Sequence, residues 1–116
     1  MTRGRPPKKA CRKACDSAAL RGVVLETAGI VGSHIDFILF VRQQVVFVRV
    51  KRSHSRISST TELTSLFSSG IAGLRTVPLT AVVSREIWVL LPWGTWQYFC
   101  IGEDSITEVH GDRGKV

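Results

Sequence analysis

The stretch that decides the fold of this chain is IDFILFVRQQVVFVRVKR, residues 35–52. Two apolar runs rich in β-branched and aromatic side chains, residues 35–41 and 45–50, flank a polar turn at residues 42–44. Such runs on either side of a short turn predict the paired strands of a β-hairpin. The start of the first strand and the end of the second therefore meet at one end of the predicted sheet.

An acid and an ammonium group occupy that end of the hairpin. Asp36 opens the first predicted strand and Lys51 closes the second. A carboxylate that holds a divalent metal, beside a lysine that positions a nucleophilic water, is suited to cleaving phosphodiester bonds. A salt bridge between Asp36 and Arg49 across the hairpin is the alternative interpretation, in which the acid has a structural role.

Charge is distributed unevenly along the 116 residues. The net charge is +7, and residues 1–21 contain seven basic residues against Asp16 alone. A second zone, residues 37–61, contains no acid and five basic residues. Two such zones suit a polyanion, most simply a nucleic-acid backbone, so DNA is the predicted partner. Loose contact with acidic partners, or a role in solubility, is the alternative.

Length and composition predict one folded domain. An apolar fraction of 44% can supply a core, and no apolar run reaches the ~18 residues of a membrane-spanning helix, so no membrane partner is expected. No apolar segment of the secretory type follows the basic start, which predicts a cytoplasmic protein. We divide the chain into a flexible basic arm at residues 1–6, a single domain at 7–110 and a loose tail at 111–116.

The predicted elements follow one another as a helix, three strands, a second helix and two or three strands. The first helix spans residues 7–21, and the next strand spans residues 23–25. A second hairpin joins residues 86–91 to 96–101, and a short strand at 106–109 follows. This order predicts an α/β fold (an α+β mixed sheet with helices on its faces) with an α-β-β-β-α-β-β core.

The second helix carries clear local signals. Ser59 and Glu62 have the spacing of a capping box at its start. A stripe of apolar residues at helical spacing then predicts a face directed at the core. The members of the stripe are Leu63, Leu66, Phe67, Ile71 and Leu74.

The three cysteines do not indicate a disulfide framework, because their number is odd. Cys11 and Cys15 are four residues apart and share one helix face. The three histidines, His34, His54 and His110, do not have the spacing of zinc ligands. Zinc is therefore not expected.

Three stretches resemble the PD-(D/E)xK nuclease superfamily, which includes archaeal Holliday-junction resolvases. They are RGVVLETAG at residues 21–29, GSHID at 32–36 and VFVRVKRS at 46–53. In that superfamily an aspartate begins the second strand and an acid-x-Lys motif follows on the third; Asp36 and Lys51 match the first and last of these residues. The resemblance implies the restriction-endonuclease-like fold, Mg²⁺ held by Asp36, Lys51 as a catalytic residue, branched DNA as substrate and a homodimer.

Two positions depart from the superfamily pattern. Arg49 stands where the third-strand carboxylate is expected, and the first helix has no glutamate, only Asp16 near its end. Glu26 on the first strand could supply a replacement carboxylate. Two functions remain open. One is a DNA-binding protein of the nuclease fold with impaired or lost metal-dependent cleavage. The other is an active Mg²⁺-dependent endonuclease for branched or duplex DNA, in which Asp36 holds the metal and Lys51 positions water.

Basic side chains from both zones are predicted to hold the phosphates. They are Arg3, Arg5, Lys8, Lys9, Arg12, Lys13, Arg49, Arg52, His54 and Arg56. Within the arm, RGRP at residues 3–6 resembles the core of an AT-hook, which predicts insertion into the minor groove of A·T-rich DNA. A basic arm that simply leads into a helix is the alternative.

A third hypothesis is a non-catalytic protein-interaction module formed by the aromatic hairpin at residues 88–98. Trp88, Trp93, Trp96 and Tyr98 could form an exposed patch, and the predicted homodimer could form through it. In the alternative, Trp88 and Trp96 pair across the strands inside the core. Trp93, in the turn, is then the residue expected to be exposed.

Overall fold

The structure, a computed structural model, describes residues 8–27 and 34–110. The predicted basic arm, the predicted tail and the glycine-containing segment at residues 28–33 lie outside the described residues. The elements are α1 (Lys8–Ala19), β1 (Val23–Glu26), β2 (Phe37–Val41), β3 (Gln44–Arg52), α2 (Thr60–Leu74), β4 (Val83–Leu90), β5 (Trp96–Ile101) and β6 (Ile106–Val109). Neither helix of the described part has the length and apolar character needed to cross a membrane.

The described strands form one mixed sheet in the order β1-β2-β3-β4-β5-β6. β3 and β4 run parallel, from the pair Val45 and Val83 to the pair Arg52 and Leu90, whereas the other neighbouring strands are antiparallel. Parallel neighbours need a crossover connection, which α2 provides. The predicted α/β class, with a mixed sheet and helices on its faces, is confirmed.

The two helices pack against opposite faces of the sheet. Alternate residues of β3 point to opposite faces, so that Val46, Val48 and Val50 join the layer under α1 while Phe47 joins the layer under α2. The α1 side of its layer consists of small residues, which let the helix lie close to the strands; they are Ala10, Ala14, Cys15 and Ala18. The layer under α2 is built from larger side chains, among them Leu63, Ile71, Leu74, Ile87, Val89 and Phe99.

The β2–β3 hairpin is tighter than the sequence predicts. Val41 pairs with Gln44, so the turn contains two residues instead of three. The first of them, Arg42, has a φ of 50°, in the left-handed region that a two-residue turn uses. β2 begins at Phe37, so Asp36 stands immediately before this strand instead of opening it.

The start of α2 is predicted correctly and its apolar stripe only in part. Ser59 is the N-cap, and its Oγ accepts the N–H of Glu62 at 3.1 Å. Leu66 is 53% exposed, so its predicted core position is wrong. Leu66 is directed at solvent immediately before Phe67, whose φ of −129° and ψ of 39° interrupt the regular helix that the stripe assumes.

The aromatic residues of the second hairpin are mostly internal. Trp88 is completely buried, and its ring centroid lies 5.1 Å from that of Tyr98 and 6.1 Å from that of Trp96. Trp88 therefore lies inside the core beside the partly buried Trp96, as the alternative predicts, but its partner across the strands is Tyr98 and Trp96 lies opposite Leu90. The exposed four-residue patch is wrong. Burial against Phe37, 5.4 Å from Trp88, explains the difference. Trp93, in the turn, is 61% exposed.

Gly22 is expected to be intolerant of a side chain, because it lies directly against β2. A Cβ at this position would overlap the carbonyl oxygen of Phe40 and come within 2.9 Å of Val41 Cγ1. We expect Gly22→Ala to lower the free energy of unfolding by roughly 1–3 kcal/mol, measured by urea denaturation, since the backbone of β2 must move.

Gly70→Ala is the matched control for that substitution. Its Cβ would meet the flexible end of Lys51, with Cε at 3.1 Å and Nζ at 3.7 Å. The helix propensity of alanine favours the change by about 1 kcal/mol, so little net loss is expected. Equal losses in the two variants would contradict the close packing of Gly22 on β2.

Candidate nucleic-acid interface

Asp36 is a buried carboxylate that joins three strands at the end of β2. The residue is 2% exposed, and its Oδ2 accepts the N–H of Val50 at 2.6 Å. Its own N–H donates to the carbonyl of Val48 at 2.9 Å, and its carbonyl accepts the N–H of Thr27 at 2.9 Å. The carboxylate therefore takes over the acceptor role of a backbone carbonyl where the β2–β3 ladder ends.

Arg49 forms the predicted salt bridge across the hairpin. Its Nε lies 3.8 Å from Asp36 Oδ2, a distance that is long for a hydrogen bond but within the range of an ion pair. The side chains are 13% and 1% exposed, so water screens the two charges poorly and they attract one another more strongly than a surface pair would. The carboxylate thus has a cationic neighbour at the position where the superfamily has an acid.

Asp36 and Lys51 interact electrostatically, as the hairpin predicts. Burial raises the pKa of Asp36, while the Val50 N–H and the cations Arg49 and Lys51 act in the opposite direction. Burial lowers the pKa of Lys51, and Arg49 lowers it further, while Asp36 opposes this change. The pKa values of Asp36 and Lys51 therefore depend on burial, on Arg49 and on each other.

The side chains of Arg49 and Lys51 both extend toward α2. A Cβ added to Gly70 would lie 3.1 Å from Lys51 Cε and 3.8 Å from Arg49 Cγ. The Nζ of Lys51 lies 5.9 Å from the centroid of the Phe67 ring, which is close enough for a cation–π interaction. The ammonium group is thus packed against this helix.

Cys11, on α1, lies near Asp36, and no motif in the sequence indicates this proximity. Burial raises the pKa of Cys11 to about 12, with the nearby carboxylate of Asp36 contributing, and burial raises that of Cys15 to about 11. The thiolate is the form of cysteine that binds zinc, and both groups favour the thiol. The available signal was the position of Cys11 on the small-residue face of α1.

The carboxylate of Glu26, a possible replacement ligand, is paired elsewhere. It forms an exposed ion pair with Arg12, 3.9 Å between Arg12 Nη1 and Glu26 Oε2. Within residues 8–27 and 34–110, no three His, Cys, Asp or Glu side chains are grouped so that they could hold a metal ion.

A basic cleft of about 420 Å³ lies at the same end of the sheet. Its walls come from α1, from the end of β3 and from the turn between β4 and β5. They are formed by Lys9, Lys13, Arg52, Ser53, His54, Leu90, Leu91, Pro92 and Gly94. Four of these residues, Lys9, Lys13, Arg52 and His54, are predicted nucleic-acid ligands, and the fold brings them together from two distant segments. We call this site the basic cleft.

The basic cleft is suited to an anion by its charge and its shape. Among the described residues that line it there are three cations, Lys9, Lys13 and Arg52, and no carboxylate. Gly94 has a φ of 92°, and a Cβ at this position would lie 3.4 Å from Lys13 Nζ. The absence of a side chain at Gly94 leaves the turn open beside this ammonium group.

The other predicted ligands lie elsewhere. Arg12 pairs with Glu26, and Arg56 Nη2 lies 3.3 Å from Glu108 Oε2 and donates a hydrogen bond to it, so both charges have acidic partners. Lys8 begins α1, but its side chain is outside the described part, as are the arm residues Arg3 and Arg5. The i, i+4 spacing of Lys9 and Lys13 was the signal in the sequence for a shared basic helix face.

Asp36 is expected to make stability depend on pH. Since burial holds its pKa above the ordinary value of 3.8, the folded state binds a proton more tightly than the unfolded state. The free energy of unfolding should therefore fall as the pH rises from about 4 through the raised pKa. Asp36→Asn, which keeps an oxygen acceptor for Val50, should lack this contribution in urea titrations between pH 4 and 8.

Asp36→Ala provides the comparison for the hydrogen bond itself. It leaves the buried N–H of Val50 without its acceptor, which should cost roughly 1–3 kcal/mol relative to Asp36→Asn at the same pH. Identical pH profiles for the wild type and Asp36→Asn, or equal stability of the two variants, would contradict the role assigned to the carboxylate.

The resemblance to PD-(D/E)xK nucleases is a comparison of short motifs. Searches of the whole chain against protein-family models, curated proteins and solved structures find no match. The assignment to that superfamily therefore stays a prediction. The function has to be argued from the chemistry of the basic cleft and of the residues around Asp36.

Proposed function

We propose that this protein binds a nucleic-acid backbone through the basic cleft and does not cleave it with a metal ion. The observation that carries the proposal is the convergence of Lys9, Lys13 and Arg52 on one cleft whose described lining contains no acid. All three side chains are exposed, so they are available to phosphates. Such contacts are independent of base sequence and give an affinity that falls steeply with salt.

The lack of cleavage is inferred from the neighbours of Asp36. Mg²⁺ requires an octahedral shell of oxygen ligands and is usually held by one or two carboxylates together with phosphates and water. Here Oδ2 of Asp36 already accepts the N–H of Val50, and Nε of Arg49 lies 3.8 Å from the same oxygen. These residues do not fit a resident Mg²⁺, because the one acid already faces a hydrogen-bond donor and a cation.

The arrangement of elements supports a nuclease-like scaffold as part of this proposal. A helix, three strands, a crossover helix and further strands follow one another in the order that the resemblance implies. Asp36 and Lys51 lie at the same end of the sheet, where the superfamily has its catalytic residues. In this proposal the nuclease-like scaffold still binds DNA, but it has Arg49 at the position of the acid on which metal binding depends.

The homodimer stays a prediction, but the surface through which we expect it to form is no longer the aromatic hairpin. The aromatic hairpin is largely buried, whereas large apolar side chains are exposed near the β1 edge of the sheet. These are Leu20, Val23, Leu25 and Phe40. A dimer, if it forms, is expected to use this surface instead of the hairpin.

The cations of the cleft should determine the salt dependence of binding. We expect Lys13→Ala and Arg52→Ala each to lower the slope of log K against log salt concentration by about 0.9 on duplex DNA, or about 0.7 on single strands, because each removes one phosphate contact. Fluorescence anisotropy with a labelled oligonucleotide at several salt concentrations measures this slope.

Arg42→Ala is the matched control, since it removes one exposed arginine from the β2–β3 turn, at the opposite end of β3 from Arg52. Its slope should equal that of the wild type. Equal slopes in all four proteins, or a complete lack of binding by the wild type, would refute the cleft as the binding site.

Arg49→Glu tests the inference about the metal. The substitution places a second carboxylate beside Asp36, so Mg²⁺ or Mn²⁺ should raise the Tm of the variant but leave that of the wild type unchanged. The wild type should bind branched and linear DNA without cutting it. Metal-dependent cleavage by the wild type that disappears in Asp36→Ala would overturn the proposal in favour of an active endonuclease.

A further inference from the structure

Trp93 is a large aromatic side chain that the fold does not bury. It is 61% exposed, whereas Trp88 is completely buried and Tyr98 is 8% exposed. An exposed tryptophan contributes little to the stability of a fold, because its apolar surface stays in water. We therefore expect Trp93 to act outside the core.

The turn that carries Trp93 is held in one shape. The N–H of Gly94 donates to the carbonyl of Leu91 at 2.9 Å, and the N–H of Leu91 donates to the carbonyl of Thr95 at 2.9 Å. Pro92 fixes its own φ by its ring, and Gly94 has a φ of 92°. Trp93 is thus presented at the tip of a hydrogen-bonded turn between two strands of the sheet.

This turn is also a wall of the basic cleft. The residues on either side of Trp93, Pro92 and Gly94, both line the cleft. The ammonium of Lys13 approaches the open side of Gly94, where a Cβ would be only 3.4 Å away. The turn that carries the exposed ring of Trp93 therefore also borders the cleft that contains the Lys13 ammonium group.

We propose that Trp93 stacks on an unpaired base of a nucleic acid whose phosphates lie in the basic cleft. This inference rests on the proposed function and specifies its partner: single-stranded or branched nucleic acid with exposed bases. In a continuous duplex both faces of a base are already stacked, so a tryptophan gains a partner only where bases are free. Cationic contacts and an aromatic platform are the two parts of single-strand binding sites.

The test compares four ligands of equal length with the full chain: oligothymidylate, oligouridylate, a duplex and an abasic oligonucleotide. We expect Trp93→Ala to weaken binding to oligothymidylate about 5- to 150-fold, the effect of losing one stacked base. Trp93→Phe should retain most of the affinity. The salt slope of Trp93→Ala should match that of the wild type, because no phosphate contact is removed.

The abasic ligand isolates the base from the phosphate. The wild type and Trp93→Ala should bind it equally, since there is no ring to stack on, and they should bind the duplex equally for the same reason. Oligouridylate should show the same loss in Trp93→Ala as oligothymidylate, because stacking uses the face of the base. Unfolding by urea checks that the variant is as stable as the wild type.

The outcomes separate this inference from the proposed function. Wild-type affinity of Trp93→Ala for oligothymidylate, together with a lowered salt slope in Lys13→Ala, would overturn the stacking role and leave the backbone-binding site intact. An equal loss with the abasic ligand or the duplex would also overturn it. Failure of the wild type to bind any of the ligands would remove the proposed function itself, and a role for Trp93 in protein contacts would then replace it.

Discussion

The hydrogen bond between the buried carboxylate of Asp36 and the N–H of Val50 is the interaction on which this end of the sheet depends. Asp36 is bonded through its carbonyl to Thr27, which follows β1, to β3 through its N–H and again to β3 through its side chain. A buried amide without a partner is costly, and β2 begins only at Phe37, so its backbone does not supply an acceptor for Val50. The short side chain of Asp36 supplies an acceptor oxygen for this amide, at the point where β2 begins between β1 and β3.

The same residue explains why resemblance to a catalytic motif is compatible with a structural role. A metal-dependent nuclease needs an acid beside one strand and a lysine at the end of the next. A buried carboxylate also needs nearby cations, because they offset the cost of burying its charge. Arg49 and Lys51 approach this acid from the α2 side, and the cleft residue Arg52 belongs to the other side of β3 by strand alternation. β3 therefore contributes to two sites: the buried group around Asp36 on one face, and the solvent-accessible basic cleft on the other.

Local patterns in the sequence were enough to predict the elements. Two apolar runs rich in β-branched residues, on either side of a polar turn, identified β2 and β3, and the spacing of Ser59 and Glu62 identified the start of α2. The interruption of α2 at Phe67 was not predictable, because no glycine or proline at that position marks it in the sequence.

The basic residues of the candidate site were predictable from the sequence, but which of them share one cleft was not. Lys9 and Lys13 share a cleft with Arg52 because α1 packs on the face of the sheet to which Arg52 belongs by strand alternation. Charge counting also included Arg12 and Arg56, whose acidic partners come from β1 and β6. Tertiary structure decides which charges remain available, and a single sequence does not carry that information in its local spacing.

The crossover between β3 and β4 has a consequence for how the cleft comes into being. Its walls belong to a helix near residue 10, a strand end near residue 52 and a turn near residue 93, and the parallel pairing that joins the last two spans the whole of α2. Contacts between such distant parts of a chain raise the contact order of the fold. The cleft exists only when these segments are folded together, so a ligand that binds it stabilises the folded state as a whole.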